Sequence, residues 1–112
     1  MNDRLPSGLE ATALIRRVHD AGGSAMVLAR GDQTAGALLL LLLDRGVNPR
    51  FVERGIGPDG RAAMIVTGPK DDSPDAITDY WKRRTARDPD LWVIELDSPE
   101  AERFVAETIA PS

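Results

Sequence analysis

The 112-residue chain has no cysteine, one histidine (His19), two phenylalanines, two tryptophans and one tyrosine. Without cysteine there is no thiolate nucleophile, no thiolate metal site and no disulfide, and a reducing compartment suits it. With one histidine there is no multi-histidine metal site. No apolar run approaches the roughly 20 residues a membrane helix needs; the longest, Ala35 to Leu43, spans nine residues. Met1 to Leu9 carries Asp3, Arg4 and Pro6 with no apolar h-region, so no signal peptide is expected. The net charge of −4 disfavours non-specific binding to nucleic acid or to anionic membranes.

What is present is an ordinary globular balance, 42% hydrophobic and 29% charged. A chain of this length buries about two-thirds of its unfolded surface, enough for one unstapled core. Residues 1–112 therefore read as a single domain, with no repeat and no linker.

Residues 7–22 read as a helix with Ala11, Leu14, Ile15 and Val18 in one stripe. Ser7 and Glu10 have capping-box spacing, and Gly22-Gly23 supplies a stop. Ser24 to Ala29 reads as a strand, followed by turn chemistry at Gly31-Asp32-Gln33-Thr34. Ala35 to Leu43 is ambiguous, since leucine favours helix and Gly46 could cap one. Its short, glycine-bounded form favours a strand covered on both faces. Phe51–Arg54 and Ala62–Thr67 read as a hairpin joined through Gly57-Pro58-Asp59-Gly60. Ser73-Pro74 opens a helix with Ile77, Tyr80, Trp81 and the stem of Arg84 inward. Leu91 to Leu96 is a strand, and Ser98-Pro99-Glu100 opens a last helix facing inward through Ala101, Phe104, Val105 and Ile109. It is expected to fray at Ala110-Pro111-Ser112. The order is α-β-β-β-β-α-β-α. The fold class expected is α+β, a mainly antiparallel sheet of about five strands with three helices on one side.

No local motif assembles a reacting set. His19, at the edge of the first helix stripe, has no second ligand. Lys70-Asp71-Asp72 with Asp75 lacks the glycine and spacing of a calcium loop and favours a helix start instead. Asp88-Pro89-Asp90 with Glu95 has the two acids of a metal-dependent nuclease, but Asp97 stands where the lysine should be. Trp81-Lys82-Arg83-Arg84 has the ingredients of nucleic-acid contact, yet aspartates flank it. Gly55-x-Gly57-x-x-Gly60 leads into a strand, not a helix, so no pyrophosphate site is expected.

Five blocks recur in order in one family: Leu5-Pro6-Ser7-Gly8-Leu9, Ala13 to Val18, Ala21-Gly22-Gly23, Arg30-Gly31-Asp32 with Ala35-Gly36-Ala37, and Asp88 to Glu95. On these the chain resembles the family filed as domain of unknown function 1491, small alphaproteobacterial proteins. The resemblance covers nearly the whole chain and implies a cytoplasmic bacterial protein of one domain. It implies no activity and transfers no catalytic residue.

The sequence therefore favours a non-enzymatic binding or interaction module. Three helices on one side leave the leucine-rich second face of the sheet in need of a partner, so a homodimer is expected, with a protein partner as a further possibility. No cofactor, no metal and no membrane association are expected, and catalytic residues are none. Arg16, Arg17, Arg30 and Asp32 are hard to explain by folding and are the candidate binding residues. A small enzyme with an Asp or Glu base and an arginine anion clamp is the alternative. Nucleic-acid binding through Lys82 to Arg87 is the second alternative.

Overall fold

A computed structural model describes residues 5–110. Of the expected fraying at Ala110-Pro111-Ser112, the last two residues lie outside them, as do residues 1–4 of the N-terminal stretch.

The elements follow the expected order: α1 (Ser7–Asp20), β1 (Ser24–Ala29), β2 (Leu38–Asp44), β3 (Val47–Ile56), β4 (Ala62–Thr67), α2 (Pro74–Arg87), β5 (Trp92–Asp97) and α3 (Ala101–Ile109). The five strands form one sheet in the order β1-β5-β2-β3-β4. Only β2 and β5, at its centre, run parallel; the other three pairings are antiparallel.

The leucine tract is extended. Alternation sends Leu38, Leu40 and Leu42 to one face, where they meet Ala11, Leu14 and Val18 of α1 and Phe104, Val105 and Ile109 of α3. Leu39 and Leu41 go to the other face and pack with Phe51, Leu91, Val93 and Ile77 of α2. A central strand buried on both sides has no polar face to show, which is why the tract lacks alternation. Each leucine so buried contributes about 1.5–3 kcal/mol relative to exposure.

The placement of α2 corrects one expectation. The helices are not all on one side: α1 and α3 cover one face and α2 lies on the other. The second face is covered within the same molecule by Ile77, Tyr80 and Trp81 of α2, so it does not call for a second copy.

Local chemistry accounts for other departures. Ser7 does not cap α1, whose N-cap is Pro6 without a side-chain bond. Instead the amides of Ser7 and Gly8 donate to the carbonyls of Thr34 (3.2 Å) and Gln33 (2.8 Å), so the loop after β1 satisfies the helix start. The Ser7 hydroxyl is thereby free to donate to the Gly36 carbonyl. Glu10, the other half of the expected capping box, is buried and pairs with Arg54 at 2.9 Å. The helix ends at Asp20, with Gly22 in the left-handed region at φ 85°. At α3, Pro99 is not the first helical residue. Ser98 Oγ accepts from the Glu100 amide, and the helix begins at Ala101.

β3 is longer than the expected Phe51–Arg54 and includes Pro49. Proline survives there because the β2–β3 register shifts between Leu42 and Asp44, leaving its missing N–H outside the ladder. The Arg45-Gly46 turn joins the two strands with both φ angles positive, 54° and 77°, the two-residue geometry whose twist suits a hairpin. The Gly57–Gly60 connection and the Ser73 cap of α2 form as expected, with Ser73 Oγ accepting from the Ala76 amide at 3.2 Å.

Candidate functional site

The blocks that carry the family resemblance meet at one end of the sheet. The Asp90 carbonyl accepts from the Asp32 amide at 3.0 Å. Gly31 and Gly36 both press against that carbonyl; a Cβ at either would lie 2.2 or 2.1 Å from it. The Trp92 indole donates to the Asp32 carbonyl at 2.8 Å, and α1 docks its first turn on the same loop. This end is a backbone knot that ties β1, β2, β5 and α1 together. The bonds that build it are made by backbone groups, with the Trp92 indole as a side-chain donor.

The four candidate binding residues divide between two places. Asp32 holds its own turn, its carboxylate accepting from the amides of Thr34 (3.1 Å) and Ala35 (2.8 Å). Arg30 lies over the Trp92 ring, 5.8 Å from its centre. Arg17, on α1, pairs with Glu107 of α3 at 2.6 Å and lies over the Phe104 ring at 4.5 Å. Arg16 is exposed on α1. Among the described residues, no hydrogen bond or ion pair joins the α1 arginines to Arg30 or Asp32.

Two hollows stand out. The smaller, about 120 Å³, is lined by Ala37, Leu38, Glu53, Arg54 and Ile109. Its Arg54 is already engaged with Glu10 and with the Ile109 carbonyl. Glu53 is held by Arg84 through two 2.8 Å hydrogen bonds and by the Thr67 hydroxyl at 2.8 Å. Burial alone would raise the Glu53 carboxyl, but these donors outweigh it and hold the group below the usual carboxylate range. A carboxylate so held is a poor proton acceptor. Neither hollow is lined by Arg16, Arg17 or Arg30, the residues an anion clamp was expected to use.

The larger is an open groove of about 340 Å³ beside α2, on the second face of the sheet. Leu28, Leu41 and Leu43 form its floor, and Ile77 and Trp81 of α2 form a wall. Its polar groups are Asp72, Thr78 and Glu95. In the sheet, Glu95 is in register with Met26 on one side and Leu41 on the other, a carboxylate between two apolar side chains. One signal for it stands in the sequence: Glu95 is the only charged residue within Leu-Trp-Val-Ile-Glu-Leu, otherwise an interior strand. Trp81, expected to face the core, is half-buried and serves both core and groove.

The remaining candidates resolve individually. His19 is exposed at the end of α1. Asp71 accepts from the Ser73 amide at 2.9 Å, ordering the loop before α2. Asp97, standing where a nuclease would need lysine, accepts from the amides of Arg45 (2.7 Å) and Gly46 (2.9 Å). The basic run of α2 is divided: Arg84 turns inward to Glu53, while Lys82, Arg83 and Arg87 face solvent. Among the described residues, no group of three or more acids or histidines could hold a metal ion. None of the described helices is long and apolar enough to cross a membrane.

Comparison with known proteins agrees with this architecture. A crystal structure of a DUF1491 family protein from Caulobacter crescentus is 31% identical, covering 89% of this chain and 94% of that one, with a TM-score of 0.76. An NMR structure of a DUF1491 family protein from the same organism is 28% identical, over 93% and 94% of the two chains, with a TM-score of 0.76. The solution structure of Atu0922 from A. tumefaciens is 26% identical, over 97% of each chain, with a TM-score of 0.71. No curated protein matches. The family model described as a protein of unknown function (DUF1491) matches residues 5–106, and the chain belongs to that family.

Proposed function

We propose that this chain is a non-enzymatic interaction module, a single domain acting in the cytoplasm, which pairs with a second copy of itself along β4. The observation that carries the reading is the character of that edge. β4 is a free sheet edge of six residues, Ala-Ala-Met-Ile-Val-Thr, with no charge and no proline. Val66 on it is 73% exposed, and Ile56 at the end of the adjoining strand is 79% exposed. Exposed edges are ordinarily blunted by charge, proline or a bulge. β1, the opposite edge, carries such a bulge between Val27 and Ala29. β4 carries none: its six residues pair with β3 in unbroken register. An edge left this regular and this apolar is suited to continue the sheet into a second molecule.

The absence of cysteine supports the cytoplasmic placement. The non-enzymatic reading draws on the site geometry: the acids nearest an arginine are locked in ion pairs, and the end of the sheet where the sequence blocks meet is occupied by backbone hydrogen bonds.

The test is the mass in solution by light scattering. A value of twice the 12.1 kDa chain mass is expected, falling to the chain mass in Val66→Lys while the far-ultraviolet circular dichroism is unchanged. A wild-type protein that stays at the chain mass across the accessible concentration range overturns the pairing.

A further inference from the structure

We infer that the groove beside α2 is a binding site for a small organic cation with an apolar body, such as an alkyl- or arylammonium. The site is separate from the β4 edge and does not rest on pairing.

The groove of about 340 Å³ lies within the size range, about 300–1,000 Å³, of small-molecule sites. Its floor and wall are apolar, which favours a hydrocarbon occupant. Its charge selects the rest of that occupant. Asp72 and Glu95 line the groove, and no lysine or arginine does. Glu95 makes no hydrogen bond or ion pair among the described residues, and it projects from an interior strand between Met26 and Leu41.

Any occupant that covers the floor also removes water from the Glu95 carboxylate. A neutral hydrocarbon would leave that charge desolvated and unpaired, and an anion would add repulsion. A cationic head over an apolar tail compensates the carboxylate and keeps the hydrophobic gain. Trp81 lines the same groove, and its ring attracts cations, as shown by Lys82, whose Nζ lies 5.9 Å from the ring centre. The Thr78 hydroxyl supplies an acceptor for an ammonium N–H.

Three isosteric probes separate the contributions: hexylammonium, hexanol and hexanoate, each titrated into the full chain and followed by amide and indole NMR shifts. Hexylammonium is expected to bind about tenfold more tightly than hexanol, equivalent to about 1.4 kcal/mol, with shifts centred on Thr78, Trp81 and Glu95. Hexanoate is expected to bind more weakly than either. Glu95→Gln is expected to bring hexylammonium and hexanol to about equal affinity while hexanol binds at least as tightly as to the wild type, which shows that the groove itself is intact. The Val66→Lys variant is expected to bind hexylammonium as the wild type does. Equal affinity for hexylammonium and hexanol in the wild type overturns the inference. So do an unchanged preference in Glu95→Gln, shifts centred elsewhere, or loss of binding with Val66→Lys.

Discussion

Arg84 of α2 and Glu53 of β3 face each other with two parallel hydrogen bonds, Nη1 to Oε2 and Nη2 to Oε1, each 2.8 Å. The same guanidinium donates to the Tyr80 hydroxyl at 2.7 Å, and Tyr80 stacks at a tilt on Phe51, 4.8 Å between ring centres. The hydrogen bonds to Glu53 raise the Arg84 pKa above its usual value, so the pair stays charged on its basic side. This contact is the polar clamp that seats α2 on the second face.

The clamp sets an acid limit on stability. The folded-state pKa of Glu53 is lowered from the ordinary 4.5, so in the window between the two values the unfolded chain binds more protons than the folded one. Its contribution is complete above the unfolded value and is lost as pH falls through the folded one. Urea unfolding midpoints measured from pH 7 to pH 3 should fall below about pH 4.5. Arg84→Met should flatten the part of that fall due to Glu53.

Removing the arginine also has a cost at neutral pH. The pair is part-buried, between the surface case of at most about 1 kcal/mol and the buried case of about 3–5 kcal/mol. Arg84→Met should therefore destabilise by about 2 kcal/mol, read by denaturant titration at pH 7. Hydrogen exchange should accelerate first in α2, whose other anchor is the apolar contact through Ile77, Tyr80 and Trp81.

The Asp97 carboxylate holds the β2–β3 turn through two amides, so Asp97→Ala leaves both without that partner and should cost about 1–3 kcal/mol. Arg45 occupies a left-handed conformation that asparagine tolerates better. Arg45→Asn should raise stability by about 0.5–1 kcal/mol, a change of opposite sign in the same unfolding assay.

Gly36 has no room for a side chain. A Cβ would lie 2.1 Å from the Asp90 carbonyl and 3.0 Å from both the amide nitrogen and the carbonyl oxygen of Asp32. These are backbone atoms of the knot and cannot rotate aside. Gly36→Ala should lower stability by about 3 kcal/mol, the upper end for overpacking, with a matching drop in melting temperature. Gly46→Ala meets no atom within 4 Å and should act only through its positive φ.

Leu40 is fully buried at the centre of the sheet, facing α1 and α3. Leu40→Ala should cost about 2–5 kcal/mol by the same measurement.

The order of elements was legible because it depends on local patterning: the Ala11–Val18 stripe, the Ser73-Pro74 start and the glycines at 57 and 60 each act within a few residues. The leucine tract was harder, since six identical residues have no period; its glycine-bounded shortness was the usable signal. The helix starts misread the local rules. Ser7 and Ser98 sit at proper capping distances, yet Ser7 is drawn away by the Gly36 carbonyl, 29 residues distant. The candidate residues Arg17, Arg30 and Asp32 looked unexplained in the chain because their partners, Glu107, Trp92 and their own turn amides, are assigned only by folding. The groove left one trace, a lone glutamate in an apolar strand.

Composition and short-range spacing alone were enough to set the fold class, the succession of helices and strands, and the exclusion of thiol and multi-histidine chemistry. Which side of the sheet each helix covers, which carboxylate meets which arginine, and the existence of the groove depended on packing. The reason is range: propensity and capping act within a turn or two of chain, whereas burial and ion pairing are settled between residues that sequence distance does not relate. Glu53 and Arg84, 31 residues apart, are partners because β3 and α2 share a face.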